Sequence, residues 1–121
     1  DVYKRQGTGL MSTYQPKQGD IVVMNFNPQA GHEQGGRRPA LVISNASFHR
    51  YTHMAIVCPI TSKTKDYPMH VPLDGRTRTQ GEILCEHVKS LDYQARGAVC
   101  VETLPEDLLQ DVLERVRMSI D

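Results

Sequence analysis

The apolar positions of this chain come in short runs bounded by glycine, proline and polar turns, and those runs predict strands. Ile21-Val22-Val23-Met24-Asn25-Phe26 reads as a first strand. Ala40-Leu41-Val42-Ile43-Ser44 is a second, continuous enough to be buried on both faces, and Met54-Ala55-Ile56-Val57-Cys58 is a third. Shorter strands are expected at Met69–Leu73, Gly81–Cys85 and Ala98–Val101. Between them, residues 27–37 carry Pro28, Gly31, Gly35 and Gly36 and read as a loop. Asp74-Gly75 and Gln80-Gly81 mark further turns, and Ala46 to Tyr51 has room for one helical turn.

The period changes near the C-terminus. Leu108, Leu109, Val112, Leu113, Val116 and Ile120 fall on one helical face, with Glu106, Asp107, Gln110, Asp111, Glu114 and Arg117 on the other. Thr103-Leu104-Pro105-Glu106 has the spacing of a capping box, and acids lead while arginines trail, as the helix dipole favours. The predicted architecture is therefore a small, mostly antiparallel β-barrel closed by one C-terminal amphipathic helix. Its 121 residues suffice for one core and one domain. Residues 1–10 show no apolar periodicity, and Met11 follows them. They are expected to be an unstructured leader ahead of a single domain at 11–121.

Charge and cysteine content refine this picture. The net charge is zero, from 14 basic and 14 acidic residues, but the distribution is uneven. Between Arg37 and Arg78 stand Arg37, Arg38, Arg50, Lys63, Lys65, Arg76 and Arg78, against only Asp66 and Asp74. A cationic surface in a neutral chain suits a phosphate backbone. Cys58, Cys85 and Cys100 lack a Cys-x-x-Cys spacing and read as reduced thiols of a cytoplasmic protein. No apolar run nears the ~20 residues of a membrane span. His49 and His53 have helical spacing without a third ligand nearby, so no metal or other cofactor is expected.

The segment richest in chemistry is Gly31-His32-Glu33-Gln34-Gly35-Gly36-Arg37-Arg38-Pro39. It packs a histidine, a carboxylate and two arginines into a glycine-rich loop that enters a buried strand, which holds Arg38 at a fixed place. It is neither a P-loop nor a dinucleotide fingerprint. A second segment, Pro59-Ile60-Thr61-Ser62-Lys63-Thr64-Lys65, alternates hydroxyls with lysines just past the third strand.

Together these blocks resemble the MazF/PemK/Kid toxin family. The resemblance includes Gly19-Asp20-Ile21, Gly81-Glu82-Ile83-Leu84-Cys85-Glu86-His87-Val88-Lys89-Ser90-Leu91-Asp92 and Ala95-Arg96-Gly97, and runs from about Gln18 to the end of the chain. It implies the SH3-like barrel shared with the CcdB gyrase poisons, a homodimer, and sequence-specific cleavage of single-stranded RNA that leaves a cyclic phosphate and a 5′-hydroxyl. It also implies a cognate antitoxin whose disordered tail covers the RNA groove. The competing readings are a CcdB-like protein-binding toxin and an inactive module that only binds antitoxin. The CcdB proteins lack the Glu-Gln-Gly-Gly-x-Arg-Pro loop.

Cleavage by the RNA's own 2′-hydroxyl needs a base, positive charge on the crowded phosphorane, and an acid for the leaving oxygen. None of these requires a metal. Arg38 matches the family's active arginine, and its planar guanidinium can grip two phosphate oxygens at once. Thr61 matches the active threonine, and Glu33 is the expected base. The alternative for Glu33 is a structural partner of Arg37 or Arg38, which would weaken it as a base. Glu86 is the rival base. It stands at an acidic position that the Kid branch uses, but Leu84 replaces that branch's arginine. His32, Gln34, Gly35, Gly36, Arg37, Ser62, Lys63, Lys65, Arg76, Arg78 and Glu86 are the expected RNA contacts, with lysines and arginines on the backbone. Phe48, Tyr51 and Tyr67 could stack bases. The reading requires Arg38 and Thr61 to converge on one groove open to a nucleotide phosphate.

Overall fold

The structure is a computed structural model, and it describes residues 14–27 and 36–121. Its elements are β1 (Asp20–Asn25), β2 (Arg37–Val42), α1 (Ala46–Thr52), β3 (Ala55–Thr61), β4 (His70–Pro72), β5 (Glu82–Leu84), β6 (Lys89–Leu91), β7 (Val99–Thr103) and α2 (Glu106–Met118). The strands form one seven-stranded antiparallel sheet in the order β4-β5-β3-β2-β1-β7, with β6 also paired to β3.

Side chains alternate across this sheet, so each face builds its own core. One face carries Ile21, Leu41, Ile43, Cys58, Ile60, Val71 and Ile83, and α2 lays Leu109, Val112, Leu113 and Val116 on it. The other face carries Val22, Met24, Ala40, Val42, Ala55 and Val57, covered by Tyr14, Leu91, Tyr93 and Ala98. Each fully buried aliphatic side chain contributes about 1.5–3 kcal/mol. That explains the unbroken apolar run of β2: it lies between β1 and β3 with both faces covered.

Four expectations need correction. The barrel does not close. β4 and β7 end the strand path, and α2 fills the space between them by sharing its core with Val71 of β4 and Leu104 past β7. The second strand begins at Arg37, because Asn25 and Met24 of β1 pair with Arg37 and Arg38. The helix does not use the predicted capping box. Thr103 is the last residue of β7, paired to Asp20, so Pro105 becomes the N-cap without a side-chain bond. Ile120 lies past the helix end and is exposed.

The short helix α1 was foreseen, and Asn45 caps it by accepting from the Phe48 N–H at 3.0 Å. His49 of α1 is buried, with Nε2 2.6 Å from Ser44 Oγ and Nδ1 3.0 Å from Pro16 O. The two ring nitrogens therefore brace the segment before β1 against the β2–α1 turn.

Candidate active site

Arg38 and Thr61 come from adjacent strands. β2 and β3 pair Val42 with Val57, Leu41 with Cys58 and Ala40 with Pro59. Continued two residues, that register sets Arg38 opposite Thr61. The ladder stops at Ala40–Pro59, where Pro39 and Pro59 supply no N–H. Both residues lie on the face of Ala40, Val42 and Val57, and Arg38 stands across β1 from Met24. Arg38 is half-buried.

Thr61 departs from the expectation of an open hydroxyl. It is 6% exposed, and its Oγ1 accepts from the Lys63 N–H at 3.2 Å. The cause is β5. Glu82 pairs with Thr61, and the preceding Gly81 lies against the Thr61 carbonyl. A Cβ at position 81 would stand 2.0 Å from that oxygen, and the Gly81 φ of +121° is open only to glycine. Beyond Thr61 the chain emerges, and Ser62, Lys63 and Lys65 are all exposed.

The stem of the glycine-rich loop is tied at both ends. The Phe26 N–H donates to Gly36 O at 2.9 Å, and the Gly36 N–H to Asn27 Oδ1 at 2.8 Å. Arg96 Nη1 donates to Asn25 O and Asn27 O, at 3.1 and 2.9 Å. Arg37 Nη2 donates to Val23 O and Gly97 O, at 3.1 and 3.0 Å. Arg37 thus serves as a brace for the stem, through hydrogen bonds to backbone carbonyls. Gly36 has a positive φ of 78°. His32, Glu33, Gln34 and Gly35 lie outside the described residues.

Arg76 and Arg78 are engaged elsewhere. Arg76 bonds Asp74 and, through Nη1 and Nη2, both oxygens of Asp107 in the first turn of α2. Its hydrogen bonds hold the Asp74 and Asp107 carboxyls below their usual range. Arg78 donates to Val101 O of β7, an outer strand of the sheet. Burial alone would raise the Glu102 carboxyl, but bonds from Thr79 and the Arg78 N–H outweigh it and the net shift is downward.

The structure adds two residues that sequence reasoning missed, Glu82 and His70. Glu82 is 7% exposed, and its Oε1 accepts from the Lys65 N–H at 3.1 Å. The same oxygen lies 3.1 Å from His70 Nδ1, and His70 Nε2 lies 2.8 Å from Glu86 Oε2. Tyr67 meets the His70 ring edge-on at 4.9 Å between centroids. A charge opening the apolar run Glu82-Ile83-Leu84-Cys85 was the available signal. Pairing Val71 with Ile83 would have brought His70 beside it.

Cys58 and Cys85 are buried thiols, and burial pushes Cys85 up to about 12 and Cys58 upward as well. Among the described residues no group of three potential ligands could hold a metal ion, and no helix is long and apolar enough to cross a membrane.

Two strand-end positions, a basic segment beyond one and a braced glycine loop beside the other now define a class. Residues 17–120 match the profile of the PemK-like, MazF-like toxins of type II toxin–antitoxin systems, and the chain belongs to that family. It is 36% identical to the endoribonuclease toxin MazF of Escherichia coli (strain K12) over 111 residues, 92% of this chain and 99% of that one. MazF (Form-I) from Deinococcus radiodurans superposes with a TM-score of 0.84 at 42% identity, covering 89% of this chain and 98% of that one. MazF in a MazE–MazF structure (Form-II) from the same organism gives 0.78 at 40% identity, covering 90% and 100%.

Proposed function

We propose that this chain is the endoribonuclease toxin of a type II toxin–antitoxin pair, cutting single-stranded RNA through the substrate's own 2′-hydroxyl. The observation that carries the reading is the β2–β3 pairing, which brings the strand ends bearing Arg38 and Thr61 side by side, with an exposed hydroxyl–lysine segment following. The family's named endoribonuclease members support it.

Arg38 stabilises the charge that develops on the phosphorane, through two N–H donors at once. Arginine holds its proton too tightly to serve as the acid. Thr61, buried at the strand end with its hydroxyl accepting from the Lys63 N–H, shapes the phosphate-binding segment rather than contacting substrate. Lys63 and Lys65 contact the backbone and give affinity without sequence choice. Glu33 is the proposed base, from the glycine-rich loop, and Glu86 is the alternative. Because the nucleophile is internal to the substrate, the reaction needs no metal to generate it.

The partners follow from the same reading. A cognate antitoxin neutralises the toxin, as the MazE–MazF structures of relatives suggest. Two copies pair to lengthen the groove, and the site of action is the cytoplasm, where mRNA is exposed.

The test is incubation of the pure protein with a long unstructured RNA in EDTA, with the new 5′-hydroxyl ends sequenced. Cuts at a short recurring sequence that vanish in Arg38→Ala support the reading. RNA left intact by folded wild-type protein overturns it.

A further inference from the structure

Glu82 and His70 form a buried ionisable pair beside the proposed site, and a buried ion pair is weak evidence for a purely stabilising role. Replacing a buried ion pair by apolar residues of similar volume is often neutral or stabilising. Yet Glu82 is 7% exposed, and the side chains of Glu82 and His70 are 9% and 8% exposed. The geometry is that of a chain with two ends. At one end Glu82 pairs with Thr61 in the β3–β5 ladder and accepts from the Lys65 N–H. It therefore closes the segment from Thr61 to Lys65 at both its first and its last residue. At the other end, 2.8 Å beyond His70 Nε2, stands Glu86, whose side chain is 30% exposed and is the part of the chain open to solvent. His87 Nε2 approaches that same oxygen at 3.7 Å.

The ring is fully committed. Its Nδ1 faces Glu82 Oε1 and its Nε2 faces Glu86 Oε2, so neither nitrogen is left for another partner. With one nitrogen on each carboxylate, the ring, Glu82 and Glu86 hold one another's positions.

We infer that Glu82 and His70 are positioning residues for RNA cleavage, fixing the Thr61–Lys65 phosphate segment at one end and the Glu86 carboxylate at the other. The inference rests on the ribonuclease reading with Glu86, the alternative base, as the reacting carboxylate, and names residues of the same site. Glu82 acts through the Lys65 N–H and the Thr61 backbone. His70 acts through both carboxylates. Neither needs to touch RNA.

The experiment is steady-state cleavage of a short fluorescent oligoribonucleotide containing the wild-type cut sequence, with melting temperature measured for every variant. Glu82→Val removes the anchor of the segment and is expected to raise KM about tenfold or more. Glu82→Gln keeps an oxygen for the Lys65 N–H, so it is expected to restore KM while kcat stays reduced. His70→Phe keeps the ring volume against Tyr67 and is expected to lower kcat by on the order of tenfold to a hundredfold, the scale of a misplaced reacting group, with KM little changed. Folded variants with kcat and KM within twofold of wild type overturn the inference. Absence of wild-type cleavage overturns the ribonuclease reading and this inference with it, so the two failures are distinct. If His70→Phe does not fold, the ring ¹⁵N shifts of the intact chain decide. Glu82→Gln must move Nδ1 and Glu86→Gln must move Nε2, and shifts indifferent to both overturn the assignment.

Discussion

Arg76 and Arg37 look alike in the sequence and meet different acceptors in the structure. Arg76 is surrounded by Asp74 and Asp107, and Arg78 is fastened by its main chain to Glu102 and by its side chain to Val101 O. Arg37 is fastened too, but to the carbonyls of Val23 and Gly97. Arg38 sits beside it on β2, one strand from the exposed Lys63 and Lys65. The difference teaches that a count of basic residues says little about where a polyanion binds. What matters is whether the neighbouring acceptors are charged. By that test the Arg76 side is a structural clasp onto α2, and among the described residues the exposed Lys63 and Lys65 are the cations proposed to meet RNA.

This contrast can be broken by mutation. The largest expected effect is on Arg38: Arg38→Ala should cut the cleavage rate by about a hundredfold to a thousandfold, the scale of losing a transition-state donor. Arg38→Lys should recover little of it, since a single ammonium cannot make the bidentate contact. Next comes the support under Thr61. Gly81→Ala combines a positive φ with a Cβ driven into the Thr61 carbonyl, and should cost about 2–3 kcal/mol of stability in urea unfolding.

A smaller effect concerns His49. Burial lowers its pKa below the ordinary 6.5, against the opposing bond to Pro16 O. Below about pH 6.5 the unfolded chain therefore takes up a proton that the folded chain resists, and stability falls as pH falls, by at most about 1.4 kcal/mol per unit. Urea midpoints at pH 7.5 and 5.5 for wild type and His49→Gln should differ in this slope. A flat wild-type profile would refute the burial argument. The smallest effect sharpens the comparison directly. Lys63→Ala should reduce the slope of log affinity for RNA against log salt by about one, whereas Arg76→Ala should leave it unchanged. Equal slopes for the two variants would remove the distinction drawn above.

The legible parts of the fold were those written in apolar periodicity. β1, β3 and α2 announce themselves because each buries a face large enough to dominate its local pattern. β6 did not, because Lys89-Ser90-Leu91 offers three residues with no apolar alternation and forms only by pairing with Ala55–Val57. The open sheet was illegible for a related reason: whether strand ends meet depends on how much space α2 fills, which no single segment encodes. In the candidate site, the segments that carry Arg38 and Thr61 stood out by their composition. The burial of Thr61 did not, since it comes from Gly81 and Glu82, twenty residues further along the chain. The His70–Glu82–Glu86 chain was hidden in the same way, by contacts across a hairpin.

The double clamp at the mouth of the glycine-rich loop has one further implication. Asn27 and Gly36 are bound to each other, while Arg96 and Arg37 lock them to the sheet. A segment whose two gateposts are fixed can exchange its contents without disturbing the wall behind. Substitutions between those gateposts, at positions other than Glu33, are thus expected to leave the backbone of Arg38 on β2 where it is, paired to Met24.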